Sequence, residues 1–290
     1  LEGAVLSSLL GRASLSLAIL LFTFSLSSAQ STAEQVRALD WKIGPTSAQL
    51  GSMAQFDIPE GFQFVGKPDA GRFMELIENP SDGSELGVLL NSDAGWFVVF
   101  EFSDDGYIKD DDRDFDADGM MSSIKRGTEA ANKIRRERGW STMNIVGWHQ
   151  RPFYDPATNN LTWSIKGASD DNGETINHST RLLGRRGVMK VALVASPEEI
   201  DAALPEFTGV MSTFSYTPGN RYSEFTRGDK IAEYGLAGLI AGGAGVALVK
   251  TGVLQKFGKL IAVGVVALLA AIKKLFTGAT GRPAADGANG

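Results

Sequence analysis

Cysteine is absent from this 290-residue chain, and histidine occurs only at His149 and His178. The first absence excludes disulfide frameworks, thiol nucleophiles, Cys-ligated zinc, iron–sulfur clusters and covalent haem attachment. The second excludes a three-histidine metal site within one chain and leaves little room for a Ser-His-Asp triad. Missing too are a Walker A loop, a G-x-S-x-G elbow, an H-E-x-x-H helix and a strand-linked G-x-G-x-x-G turn. The common routes to phosphoryl transfer, acyl transfer, zinc hydrolysis and dinucleotide binding are therefore not available, while carboxylate chemistry, binding and structural roles stay open.

Charge is present but unevenly placed. The chain carries 28 Lys and Arg against 34 Asp and Glu, a formal net charge of −6. Residues 1–29 hold one Arg and one acid, residues 231–290 hold six bases and two acids, and the body 30–230 holds 21 bases and 31 acids. An acidic body of net −10 lacks the basic footprint of a nucleic-acid binder, so no nucleic-acid partner is expected. A body of this length is enough for one globular core.

Both ends are apolar. Arg12, an apolar run over 15–26 and Ser27-Ser28-Ala29 form the parts of a secretory signal peptide, with cleavage expected after Ala29 and an uncleaved signal anchor as the rival. Near the other end, 234–249 is a 16-residue run without a charge and 260–272 a 13-residue one. At ~1.5 Å per residue these reach about 24 and 20 Å, against a hydrocarbon core of about 30 Å. Snorkelling of Lys273 and Lys274 extends the second to Phe276. Gly238-x-x-x-Gly242 would let another helix approach the first run closely.

Two topologies fit: a helical hairpin turning at 250–259, or a single span over 260–276. Each places three bases on the inner side, so the positive-inside rule does not separate them. The bland alternative is two buried helices of a soluble fold. The expected organisation is a signal peptide at 1–29, an exported domain at 30–230, a membrane-anchoring segment at 231–276 and a disordered Gly- and Ala-rich tail at 277–290.

Within the body, helices are expected at 70–78, at 119–138 with Met120, Ile124, Gly127, Ala131 and Ile134 on one face, and at 196–214. Ser196 reads as the N-cap of the last, Pro197 as its first helical residue and Glu199 as the capping-box acid. Strands are expected at 87–90, 96–102, 143–149, 160–166, 176–183 and 188–195, with Gly184-Arg185-Arg186-Gly187 closing a hairpin. Strands outnumber helices and short turns join them. The expected class is α+β, an antiparallel sheet with helices packed on it, plus a C-terminal membrane helix or helical hairpin.

Several motifs in order carry a resemblance. Gly106-Tyr107-Ile108-Lys109-Asp110-Asp111-Asp112, Gly147-Trp148 with Pro152-Phe153-Tyr154-Asp155, Leu161-Thr162-Trp163 and Arg181-Leu182-Leu183-Gly184-Arg185-Arg186-Gly187 resemble the bacterial family known as domain of unknown function 2167. Tyr222-x-x-Phe225 and Asp229-Lys230-x-Ala232-x-Tyr234-Gly235-Leu236-Ala237 resemble that family's junction before its membrane segment. The resemblance covers about 55–275 and implies a membrane-anchored bacterial protein with an exported domain and no assigned activity.

Candidate chemistry centres on carboxylates. Asp114, Asp116 and Asp118 with Gly119 reproduce positions 1, 3, 5 and 6 of an EF-hand loop, making calcium the one metal this loop would take; Lys125 occupies position 12, where a bidentate Glu belongs. The bland reading is an acidic cap on the helix that follows. No resident cofactor is otherwise expected. Eight Asp crowd 104–118, so Asp110, Asp111 and Asp112, facing Arg185 and Arg186, form a candidate interaction surface for a basic partner. A hydrolase reading would draw its two carboxyl groups from Asp110, Asp111, Asp155, Glu224 and Asp229. Arg135, Arg136 and Arg138, or the 185–186 turn, could meet anionic lipid headgroups. The expectation is a non-enzymatic protein of the bacterial inner (cytoplasmic) membrane, its main domain on the periplasmic side, with the membrane and an unknown envelope protein as partners.

Overall fold

The computed structural model describes residues 32–91, 94–111, 113, 115–170 and 173–241. The expected signal peptide, the segment 242–276, the tail 277–290, Asp112 and Asp114 lie outside the described residues. Among those described, no helix is long and apolar enough to cross a membrane.

The chain builds an α+β fold around an antiparallel sheet of eight strands, in the order β1-β4-β5-β6-β10-β9-β8-β7. These are β1 (Lys42–Ile43), β4 (Phe62–Gly66), β5 (Glu85–Asn91), β6 (Phe97–Ser103), β10 (Val188–Ala195), β9 (Glu174–Leu183), β8 (Asn160–Ser169) and β7 (Met143–Asp155). A smaller antiparallel sheet, β11-β3-β2, joins β2 (Thr46–Leu50), β3 (Ala54–Ile58) and β11 (Ser215–Tyr216). The helices are α1 (described over 32–37), α2 (Asp69–Leu76), α3 (Ala117–Glu137), α4 (Ile200–Ser212) and α5 (Leu236–Ala241).

Alternation along the strands decides what packs where, because successive side chains leave opposite faces of a sheet. Met189, Val191, Leu193 and Ala195 join Val98, Phe100 and Phe64 on the face covered by α4 and the smaller sheet. The opposite face carries two further clusters. Val65, Val88, Leu90 and Val99 sit under α1 and α2, and Leu161, Trp163 and Ile165 sit with α3 and α5. Each buried Val, Leu or Phe contributes roughly 1.5–3 kcal/mol against exposure, so both faces must stay covered.

The strands from β5 to β10 stand close to where alternation and turns place them. β7 runs on through Pro152 to Asp155, further than its apolar start indicates. Strands β1 to β4 were not anticipated. Helix α3 starts at an Asp116 N-cap that accepts from Gly119 N at 2.9 Å and stops at Gly139, whose φ is 70°. Its lower half departs from the expected apolar stripe. Ala131 and Ile134 are half-buried, while Thr128, Asn132 and Arg135 are buried. Helical spacing puts those three in line with Met120 and Ile124, and each finds a polar partner there. Thr128 Oγ1 donates to Ile124 O at 3.0 Å; Asn132 donates to Met143 O at 2.8 Å and accepts from Met143 N at 2.9 Å. Arg135 donates to Asn79 Oδ1 at 2.9 Å.

Helix α4 also begins later than expected. Residues 197–199 form a turn closed by Glu199 N to Ser196 O at 3.2 Å, and Glu199 takes the N-cap. The Glu199 carboxylate is engaged elsewhere, accepting from Gly95 N at 3.2 Å and Ser196 Oγ at 3.1 Å. That tie to the β5–β6 turn replaces the capping box.

The Asn132 bonds carry a prediction. Asn132→Ala strands both backbone groups of Met143 where β7 begins, and should lower unfolding free energy by about 2 kcal/mol. The check is a lower denaturant midpoint at unchanged slope.

A second prediction concerns His178. Its Nδ1 lies 2.8 Å from Ser164 Oγ, and its ring stands edge-on to Phe207 of α4 at 5.6 Å. Burial, with a smaller push from His149, takes its pKa down to about 4. The unfolded residue titrates near ~6.5, so the neutral ring contributes its full stability above that pH and loses it as pH falls toward 4. The stability gap between wild type and His178→Asn should shrink by about 3 kcal/mol from neutral pH to pH ~4. Parallel melting curves across that window would reveal a gap independent of pH if the reading is wrong.

Candidate functional site

Three separated stretches meet at one end of the large sheet: the loop 104–111 after β6, the 184–187 turn between β9 and β10, and a strap over 217–234 leading into α5. The turn is closed by Gly184 N to Gly187 O at 2.8 Å. A Cβ on Gly187 would stand 2.0 Å from Ser103 O, so only glycine lets the turn lie this close to the end of β6.

That turn aims Arg185 at the strap. Arg185 Nε and Nη2 donate to Asp229 Oδ2 and Oδ1 at 2.7 and 2.9 Å, and Nη2 also reaches Thr226 Oγ1 at 2.8 Å. The two-pronged geometry matches guanidinium to carboxylate. Arg185 holds the Asp229 carboxyl well below the usual range, helped by Thr226 N, and Asp229 in turn raises Arg185.

A second set of contacts fixes the strap beside loop 104–111. Tyr107 N donates to Lys230 O at 2.8 Å and Ala232 N to Tyr107 O at 2.9 Å, a short parallel bridge. The Tyr107 ring stacks on Tyr222 at 4.5 Å and lies 4.2 Å from Phe225. Tyr222 OH donates to Ile108 O at 2.8 Å and approaches Asp110 Oδ1 at 3.2 Å. Asp110 Oδ2 accepts from Tyr154 OH at 2.8 Å and from Arg113 Nη2 at 3.1 Å. Burial pushes Asp110 up, but the bonds from Tyr154, Tyr222 and Arg113 outweigh it and its pKa is lowered. Tyr154 is pushed up to about 12, chiefly by burial. Beyond the strap, Leu236 and Leu239 of α5 bury against the cluster that holds Ile108, Met120 and Ile124.

Of the expected interaction residues, Asp110 and Arg185 both lie in this junction, yet each is bonded to other groups rather than to the other. Asp111 and Arg186 are exposed, and the Arg186 carbonyl accepts from Gly106 N at 2.9 Å. The rest of the candidate hydrolase set serves local structure. Asp155 accepts from Ala157 N at 2.9 Å and Thr158 Oγ1 at 2.8 Å; Glu224 accepts from Gly219 N at 2.7 Å and Arg221 N at 2.9 Å. A glycosidase-type pair needs one carboxyl with a raised pKa. Those of Asp110, Glu224 and Asp229 are all lowered.

In the calcium motif, Asp116 caps α3, Asp118 is exposed in its first turn, and Asp114 lies outside the described residues. Among the described residues no group of three or more His, Asp or Glu is gathered for a metal ion. The arginines at the end of α3 have partners in the fold. Arg135 is buried on Asn79, Arg136 pairs with Glu129 at 2.6 Å, and Arg138 pairs with Glu75 at 2.5 Å over the Trp140 ring.

What the sequence reading missed are the tyrosines. Tyr107, Tyr154 and Tyr222 lay inside the motifs that carry the family resemblance, but only Tyr107 stands beside the acidic run, so no local signal joined the three. Chemically, the junction is a clamp that fixes the strap, and with it the start of α5, against the sheet. Trypsin should therefore cut slowly at Arg221, Arg227 and Lys230 in wild type, and several-fold faster in Asp229→Asn. Because the Asp229 carboxyl is depressed, the wild-type protection should persist at any pH above the ordinary Asp value of ~3.9 and fade only below it. Equal cleavage rates would show that the clamp does not hold the strap.

A family model described as "Protein of unknown function (DUF2167)" matches residues 42–273 and so includes the whole junction. No curated protein matches the chain. Among solved structures, the chain is similar to cyanobacterial PsbP (CyanoP) from Synechocystis sp. PCC 6803, at 13% identity and a TM-score of 0.39, covering 59% of this chain and 92% of that one. It is also similar to the Saccharomyces cerevisiae Ran-binding protein Mog1p, at 10% identity and a TM-score of 0.31, covering 64% of this chain and 100% of that one.

Proposed function

Since the chain belongs to the DUF2167 family of proteins of unknown function, we propose, from its own residues, that it is a membrane-anchored bacterial envelope protein that binds or scaffolds another protein. The observation that carries this reading is the clamp. A strap that merely linked a domain to an anchor would be free to swivel. Here Arg185, Tyr107, Tyr154 and Asp110 bind its residues or their neighbours within about twenty residues of the apolar segment that begins after α5. Such an arrangement sets the orientation of the domain relative to whatever the segment enters.

The remaining support comes from the sequence. The signal-like 1–29 directs the body out of the cytoplasm, and the apolar residues that follow α5, with the run at 260–276, supply the anchor on the inner membrane, with 30–230 on the periplasmic side. An exported domain without cysteine holds together by packing rather than disulfides.

Fractionation of cells expressing the full chain tests the anchor: it should stay in the membrane pellet through alkaline extraction, and deletion of 242–276 should release the body to the periplasmic fraction. Full-length protein in the soluble fraction would overturn the anchor. Crosslinking in intact membranes followed by mass spectrometry tests the role, with a reproducible neighbouring protein as the expected result. No reproducible neighbour, together with turnover of an envelope substrate by the purified protein, would replace scaffolding with catalysis.

A further inference from the structure

Among the described residues the exposed large apolar side chains are Ile43, Val146, Phe153 and Ile231. Ile43 lies on β1, at one edge of the large sheet. The other three gather around the cluster that seats α5. Val146 and Phe153 lie on β7, the opposite edge strand, beside Ile145 and Tyr154, and Ile231 lies in the strap beside Ala232. Ile145, Tyr154 and Ala232 all pack in the cluster that buries Leu236 and Leu239 of α5. Exposed apolar residues scattered singly need no explanation, whereas these three share one neighbourhood.

The form of β7 argues against another strand as their cover. Its pairing with β8 shifts register between Ile145 and Gly147, between Trp148 and Gln150, and between Gln150 and Phe153, and Pro152 has no N–H to donate. Bulges and proline keep an edge from recruiting a further strand, because its outer N–H and C=O groups no longer form an even row. A fluid apolar surface makes no demand on register. The chain itself leads to one: α5 ends at Ala241, and residues 242–249 continue without a charge. Leu236 and Leu239 fix α5 in the cluster, and a helix of this length spans only about 9 Å. The uncharged run therefore departs from the neighbourhood of Val146, Phe153 and Ile231.

We propose that these three side chains are interfacial contacts with the phospholipid bilayer that the run enters, dipping to headgroup depth and holding the β7 edge of the domain against the membrane. This inference rests on the anchoring reading above and adds to it which side of the domain meets the bilayer. The exposed Arg151, Arg227 and Lys230 stand in the same two segments and suit lipid phosphates. Exposed Asp104, Asp111 and Glu233 stand in the loop and strap of the same junction, so the surface is not a basic one. Apolar insertion, rather than attraction to anionic lipid, drives the contact. At headgroup depth the outer backbone groups of β7 keep their water, which the hydrocarbon core would deny them.

The absence of cysteine permits a direct test. Single Val146→Cys, Phe153→Cys and Ile231→Cys variants of the full chain, each labelled with a polarity-sensitive fluorophore, are reconstituted in phosphatidylcholine vesicles with and without a lipid that carries a nitroxide high on its acyl chain. Ile43→Cys is the reference, roughly 30 Å away across the sheet at ~4.8 Å per strand. The three labels should emit further to the blue than the reference and be quenched by the nitroxide about twofold more or better. Should a labelled variant fail to fold, Arg151→Cys or Lys230→Cys in the same segment takes its place and must show the same quenching. Flotation of the same vesicles separates the two readings. Protein that floats while its three labels are quenched no more than the reference keeps the anchor and overturns the contact surface. Protein that does not float removes the anchor, and the surface with it. Labels that shift to the blue yet escape the nitroxide are covered by protein, a second copy or another chain, and that outcome also overturns the proposal.

Discussion

Strand register at β6, β10 and β9 is the constraint on which everything else rests. Side chains alternate with a period of two, so a slip of one residue exchanges the faces of a strand. Slipped, β10 would present Lys190 to the apolar underside of α4 and Met189, Val191 and Leu193 to the opposite face. Apolar burial forbids that arrangement, and two polar devices lock the correct one. Gly187 lets its turn press against Ser103 O. Tyr216 OH donates to Leu182 O at 2.6 Å and accepts from Met189 N at 2.9 Å, clasping β9 and β10 at matched positions. The same turn then points Arg185 at Asp229. Register, hairpin and clamp are one mechanical unit.

The helices show how polar contacts fix positions that apolar contact alone leaves loose. Met120 and Ile124 attach the first half of α3 to the sheet by burial, which is non-directional. Asn132 and Arg135 act in the second half. One is stitched to the first residue of β7, and the other reaches Asn79 just beyond α2. Arg138, paired with Glu75, adds a surface tie between the same two helices. The long helix is thereby held at both ends, with Met120 and Ile124 of its first half in the cluster that buries Ile108 of loop 104–111.

The legible parts of the fold were those in which local chemistry and tertiary demand agree. The run 188–195, the Gly184–Gly187 turn, the Asp116 cap and the Gly139 stop all declare themselves within a few residues, and the family resemblance pointed to the 222–237 junction as a unit. Strands β1 to β4 did not, because each is at most five residues long and Pro45, Gly51, Pro59 and Gly61 punctuate them like loops. The start of α4 misled because Glu199 was claimed by Gly95, about a hundred residues away in sequence. Asp110 was visible as an acid, whereas its tyrosine partners stand 44 and 112 residues away. For the charged row that Glu85, Glu101, Lys190 and Arg181 form in register across four strands, the difficulty is sharper. Glu101 and Lys190 each interrupt an apolar run, and a lone charge in a strand reads as its solvent side. Only the pairing of β5, β6, β10 and β9 brings four such interruptions into line.

That row runs on through Leu161 of β8 to Tyr154 of β7 and is physically continuous with the junction. Tyr154 ends the row on β7 and is the residue that donates to Asp110 in the clamp. On the other side, the strap passes from the Asp229 ion pair to Tyr234, which bonds to Asp105 and lies within electrostatic reach of Arg181. Asp105 immediately precedes the Gly106–Tyr107 pair that grips the strap. The charge of Arg181 is therefore felt by a group that also positions the strap. Any coupling between them is reciprocal: whatever the row favours in the strap, the strap favours in the row. The sheet thus joins the charged row on its face to the orientation of α5, because the two share Tyr154 at one end and the 103–107 segment at the other.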